Sequence, residues 1–143
     1  MTEITFHFNV ADPTAYVCRV LRKAMRRGSQ VAVSAAPDAL ARLDRALWAF
    51  DPVEFIPHVL LHPGQEVPDR LRGTPVWLVE EPSRLDRHEV LVNLGAQSPA
   101  GFESFAKLIE IVSTADDDRA AARMRSKHYA NRGYPVAYHE VAE

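Results

Sequence analysis

Glu54, His58 and His62 are of types that ligate zinc and stand four residues apart. On an unbroken helix that spacing puts all three on one face. Pro57 and Pro63 interrupt any such helix. On a strand, a four-residue step spans about 13 Å at the usual rise, too far for one coordination shell. The spacing therefore predicts a turn histidine and a surface histidine, with no metal. The acidic run Asp116, Asp117 and Asp118 suits the positive end of a helix capped by Thr114, and is read as capping. Other chemistries are missing as patterns. No glycine-rich loop leads into Lys-Ser or Lys-Thr, and no Gly-x-Gly-x-x-Gly follows the first strand. The turn there, Ala11-Asp12-Pro13, offers a carboxylate where a phosphate would sit. No Gly-x-Ser-x-Gly elbow accompanies a histidine. Cys18 is the only cysteine. It can form no intramolecular disulfide and reads as a small core residue beside Val17. No catalytic residue and no cofactor is expected.

Two groups of residues suit contact rather than catalysis. Arg119, Arg123 and Lys127 recur at four-residue steps and form a basic line on one helix face, with Arg125 and Arg132 adding charge around it. Ala120, Ala121 and Met124 are the expected inner face of that helix. With Tyr129 and Tyr134 alongside, the basic line suits capture of an acidic peptide with an apolar end and a free carboxylate. A solvated face balanced by the aspartates is the plainer reading. The second group centres on Trp48. It shares its helix line with Asp44 rather than with Leu40 and Leu43, so it is expected to be half exposed. With Phe55 and Pro57 it makes an apolar patch able to anchor a protein interface. The plainer reading folds it down as the rim of the core.

The elements that position these groups follow from periodicity. Ile4, Phe6, Phe8 and Val10 alternate with polar residues, as in a half-buried strand. Asp12 then caps a helix that has Pro13 in its first turn and an inner stripe of Val17, Val20, Leu21 and Ala24. Arg22, Lys23, Arg26 and Arg27 crowd its end, where positive charge suits the dipole, and Gly28 stops it. Val31-Ala32-Val33 suits an interior parallel strand. Pro37-Asp38 opens a second helix with Leu40, Leu43 and Leu47 inside. Strand, helix, strand and helix within about fifty residues indicate an α/β fold. Further strands are predicted at residues 76–79, 90–94 and 108–112, with a loop over 80–88 and a short helix near Phe102–Phe105. A last helix from Thr114 to Gly133 precedes a strand over 134–138. No repeat or linker divides residues 1–143, so one domain is expected.

The chain has 143 residues, 47% hydrophobic and 25% charged, which fits a folded globular protein. Its formal net charge is −2. That disfavours tight direct binding to DNA through many phosphate contacts. Met1-Thr2-Glu3-Ile4 lacks the basic start of a signal peptide, and no apolar run approaches a bilayer span. A cytoplasmic location without membrane contact is expected.

The block Arg42-Leu43-Asp44-Arg45-Ala46-Leu47-Trp48, with Phe55-Ile56-Pro57-His58 after it, resembles the chi subunit family of bacterial DNA polymerase III. Thr5-Phe6-His7-Phe8, the stretch from Asp86 to Leu94 and the helix end from Arg123 to Tyr134 follow the same order. The resemblance implies a single three-layer α/β domain, with a mainly parallel sheet and helices on both faces. It implies a non-catalytic accessory subunit of the clamp-loader assembly, which meets DNA only indirectly. Such a subunit binds the acidic, phenylalanine-ended tail of the single-stranded-DNA-binding protein, and separately the psi subunit. Carried onto this chain, the tail site falls on Arg123, Ser126 and Lys127, with Ser126 where the family has an aromatic. The psi-facing surface falls on Trp48, Phe55 and Pro57, and the same surface could serve a helicase-type partner. Two readings from other classes stand beside this one. One is a small α/β nucleotide- or phosphate-processing enzyme. The other is direct single-strand binding through Trp48 and basic side chains, which the net charge opposes.

Overall fold

The strands predicted from the sequence form in the computed structural model, which describes residues 1–51, 53 and 55–142, and one more, over 58–61, joins them. The strands are β1 (Glu3–Val10), β2 (Val31–Ser34), β3 (His58–Leu61), β4 (Val76–Val79), β5 (Val90–Asn93), β6 (Lys107–Ser113) and β7 (Val136–Glu140). The helices are α1 (Pro13–Arg26), α2 (Pro37–Phe50) and α3 (Asp116–Asn131). All seven strands join one sheet in the order β3-β4-β2-β5-β6-β1-β7, and every pairing is parallel. A sheet of this kind must be covered on both faces. Here α1 and α2 cover one face through Val17, Leu21, Leu40, Leu43 and Leu47. On the other face, α3 packs over Phe6, Leu108 and Val112. The result is the three-layer α/β domain expected from the sequence.

The start of α1 behaves as read: Asp12 Oδ1 accepts from Ala15 N–H at 3.2 Å, with Pro13 in the first turn. Cys18 lies in the core, where burial pushes its thiol up to about 11. The start of α3 differs from expectation. Thr114 does not cap it; the N-cap residue is Ala115. The first turn is tied down from inside the helix, because Asp118 Oδ2 accepts from Ser113 N–H at 2.8 Å. Ser113 Oγ in turn accepts from Ala115 N–H at 3.3 Å. The last strand begins two residues later than predicted. Gly133, at φ +84°, takes the left-handed turn that ends α3, and Pro135 passes its carbonyl to Ile4 N–H.

The inner face of α3 is also not the expected one. Ala120 and Met124 are exposed and Ala121 is half buried. Ala122, Arg125 and Tyr129 point inward instead. The reason is Glu110, fully buried in the middle of β6. A carboxylate in a sheet interior needs donors, and α3 is turned so that Arg125 supplies them. Among the described residues, no helix is long and apolar enough to cross a membrane.

Candidate functional site

The basic line lands on the rim of a groove. Passage from β6 through α3 to β7 carries the chain past β1, leaving a trough of about 560 Å³ between α3 and the β1–β7 end of the sheet. Arg119, Arg123, Ser126 and Lys127 line it from α3. Its floor is apolar, built from Phe6 and Phe8 of β1, Val112 of β6 and Tyr138 of β7. Phe6 and Tyr138 stack with ring centroids 5.8 Å apart. Ser126 and Tyr138 share a hydrogen bond between hydroxyls, which holds that exposed ring against the helix. At one end, β1 bulges where its register with β6 shifts between His7 and Val10. Asn9 there takes φ +64°, a conformation asparagine tolerates better than most residues.

The three residues assigned to the tail site, Arg123, Ser126 and Lys127, are therefore brought together around one concavity. The aromatic residues expected beside them are not. Tyr129 is buried and donates its hydroxyl to Glu110 Oε2 at 2.6 Å. Tyr134 packs on Phe102. Phe6, Phe8 and Tyr138 take their place. Sequence reading missed them as site residues because they come from strands distant in the chain. Their common phase was the available signal: Phe6 pairs with Tyr138 and Phe8 with Glu140 across the β1–β7 ladder, so these side chains share a face.

Arg125 is not part of the basic line. Its Nε and Nη2 donate to the two Glu110 oxygens at 3.2 Å each, and Nη1 donates to the Ala96 carbonyl at 2.7 Å. Asn93 Nδ2 donates to Glu110 Oε1 at 2.8 Å. Burial pushes the Glu110 carboxyl above the usual range, while Arg125, Tyr129 and Asn93 draw it back. Burial, and then the nearby carboxylate, raise the Tyr129 phenol. The network fixes the pose of α3, and with it the groove.

The second group presents two exposed rings. Trp48 is 62% and Phe55 52% exposed. Their rings lie 5.2 Å apart between centroids, and Pro57 beside them is half buried. His58, predicted to be a turn or surface histidine, begins β3 with its side chain only 1% exposed. Its Nε2 meets Asp44 Oδ1 at 2.9 Å and its Nδ1 meets the Ile56 carbonyl at 2.8 Å. Its ring lies 5.0 Å from that of Trp48, so it ties the chain before β3 to α2 beneath the patch. His62 is exposed in a turn, and Glu54 falls outside the described residues. Among the described residues, no three histidine, cysteine or carboxylate side chains gather as a metal shell.

A histidine pair sits on the opposite face of β1 from the groove. His7 Nδ1 meets the Tyr16 hydroxyl, and its ring lies 5.2 Å from that of His139. Burial, followed by the neighbouring His139, lowers His7 to about 4.

Comparison with known proteins bears on what these surfaces serve. Residues 1–137 match the family described as DNA polymerase III chi subunit, HolC. DNA polymerase III subunit chi of Pseudomonas aeruginosa is 34% identical, over 99% of this chain and 98% of that protein. The subunit chi of Haemophilus influenzae is 30% identical over 87% of this chain and 84% of that protein. That of Escherichia coli is 28% identical, with 82% and 78% covered. The match spans the groove helix, the Trp48 patch and nearly all of the sheet, and the chain belongs to the DNA polymerase III chi subunit family.

Proposed function

We propose that this subunit of the replication machinery is a non-catalytic, cytoplasmic adaptor. The α3 groove takes the acidic C-terminal tail of the single-stranded-DNA-binding protein. The Trp48–Phe55–Pro57 patch takes the psi subunit and so joins the clamp loader. The carrying observation is the groove itself, three cations on the rim of an apolar trough. A peptide with carboxylates along its length and one apolar terminal side chain matches both features. Arg123 and Lys127 pair with carboxylates, and Phe6, Phe8 and Tyr138 receive the side chain. Contacts of this kind give weak, salt-sensitive binding, suited to a tether that must let go. The patch differs in kind. Its two exposed rings, Trp48 and Phe55, lie against each other and against the His58 ring, which suits an apolar protein surface.

Fluorescence polarisation with a labelled tail peptide tests the groove. Arg123→Ala weakens binding by at least about 1.5 kcal/mol, the usual worth of a hydrogen bond to a charged group. Removing the terminal phenylalanine of the peptide weakens it as well. Unchanged affinity in both arms removes the assignment. A pull-down of psi with Trp48→Ala tests the patch in the same way.

A further inference from the structure

We infer that the free edge of β7 is itself a docking strand, on which an extended acidic peptide adds as an eighth strand while its end lies in the groove. The inference rests on the groove reading above and extends it from side chains to main chain. Two bonds fix the phase of β7. Ile4 N–H donates to the Pro135 carbonyl and Val141 N–H to the Phe8 carbonyl, each at 3.0 Å. In a parallel ladder alternate residues turn both N–H and C=O toward one neighbour. Residues 135, 137, 139 and 141 therefore face β1. Val136, Tyr138 and Glu140 turn their main-chain groups outward, and among the described residues no strand lies beyond them.

Edges of this sort are normally blunted by proline, lysine, a bulge or a covering element, because they recruit other chains. The opposite edge, β3, is half buried along its first three residues. The β7 edge is entered through Pro135, but beyond Val136 it is open. Val136-Ala137-Tyr138-His139-Glu140 contains no proline, lysine or glycine, pairs with β1 in unbroken register, and is exposed from Ala137 onward. The residues with outward main chain are also those whose side chains face the groove, since Tyr138 and Glu140 line it. A peptide paired there passes directly along the rim. Charge selects the occupant: among the described residues, Arg119, Arg123 and Lys127 face a single lining carboxylate, Glu140. An acidic extended chain fits that balance, and main-chain pairing supplies affinity without demanding a particular side chain at each position.

Amide hydrogen exchange by NMR on the full chain tests this, using a synthetic peptide of aspartates ending in phenylalanine. Peptide binding is expected to slow the Tyr138 and Glu140 amides by at least about tenfold, as for newly bonded groups. N-methylation of the peptide is expected to weaken binding at alternate positions only. Binding with no slowing at Tyr138 and Glu140 overturns the strand and leaves the groove reading intact. No binding at all overturns both. Slowing that appears without peptide and grows with protein concentration assigns the edge to a second copy of this chain, and likewise overturns the proposal.

Discussion

Arg123 and Arg125 stand two residues apart on one helix and lead opposite lives. Arg123 is exposed on the rim of the groove, whereas Arg125 is 6% exposed and locked onto Glu110. The difference comes from the helical period, which turns positions two apart to nearly opposite sides. One face of α3 is spent on holding the helix in place, and the other is left for a partner. Charge on the outer face can be exchanged for solvent at little cost. Charge on the inner face cannot, because its partner would be stranded in the core.

Arg125→Ala is the largest test of that contrast. Removing one member of a buried pair costs about 3–5 kcal/mol, read as a lower urea midpoint. Arg123→Ala, at an exposed position, stays within about 0.5 kcal/mol of the parent. Equal losses from the two substitutions would break the comparison. A double replacement, Glu110→Leu with Arg125→Met, sharpens it. Paired apolar substitution of a buried ion pair is often neutral, but Tyr129 and Asn93 also donate to Glu110, so the double variant recovers only part of what Arg125→Ala loses. Peptide binding should report the reverse order. Arg123→Ala loses at least about 1.5 kcal/mol of tail affinity, while the double variant keeps affinity to the extent that α3 keeps its pose.

The contrast also shows what was legible in the sequence. Alternation in Ile4, Phe6 and Phe8, the Asp12-Pro13 entry and the Leu40-Leu43-Leu47 stripe are local signals, and each produced the element expected of it. The four-residue step of Arg119, Arg123 and Lys127 is equally local, and it placed those side chains on one rim. The Glu110–Arg125 pair is not local. Its members lie fifteen residues apart on different elements, and Ile109-Glu110-Ile111 in isolation reads as a strand with one polar face. Nothing short of the sheet's double coverage makes that face interior. The misplaced inner stripe of α3 follows directly. Ala120, Ala121 and Met124 are small or apolar, but the helix is oriented by a charge. The groove floor was hidden for a similar reason, since its rings come from β1 and β7, far apart in sequence.

His7 offers a smaller test that separates the two faces of β1. The folded chain holds this imidazole at about 4, whereas the unfolded chain binds a proton near the ordinary value of 6.5. Above that value both states are neutral and the group does not affect stability. As pH falls from about 6.5 to 4, only the unfolded state takes up the proton, so stability drops across that window. His7 is only half buried, and solvent screening reduces the effect to about 1 kcal/mol. His7→Gln should flatten this part of a stability–pH curve. It should leave tail-peptide affinity at neutral pH unchanged, because His7 faces α1 and the groove faces α3. A loss of affinity would mean that the two faces of β1 are coupled.

The smallest effect concerns how α3 begins, and it decides between two accounts of the same acidic run. If Thr114 capped the helix, Thr114→Ala would cost about 1 kcal/mol. The structure assigns that work to Asp118, which reaches back to Ser113 N–H from the first helical turn, and to Ser113, whose hydroxyl receives Ala115 N–H. Asp118→Ala should therefore lower thermal stability by about 0.5–1 kcal/mol, and Thr114→Ala by much less. Asp116→Ala makes a useful companion, since it removes a first-turn charge without touching the bond to Ser113. If it matches Asp118→Ala, the dipole alone accounts for the acidic run. If Asp118→Ala costs more, the specific bond to β6 anchors the helix start, and the outer face carrying Arg119, Arg123 and Lys127 is held at its first turn as well as at Arg125.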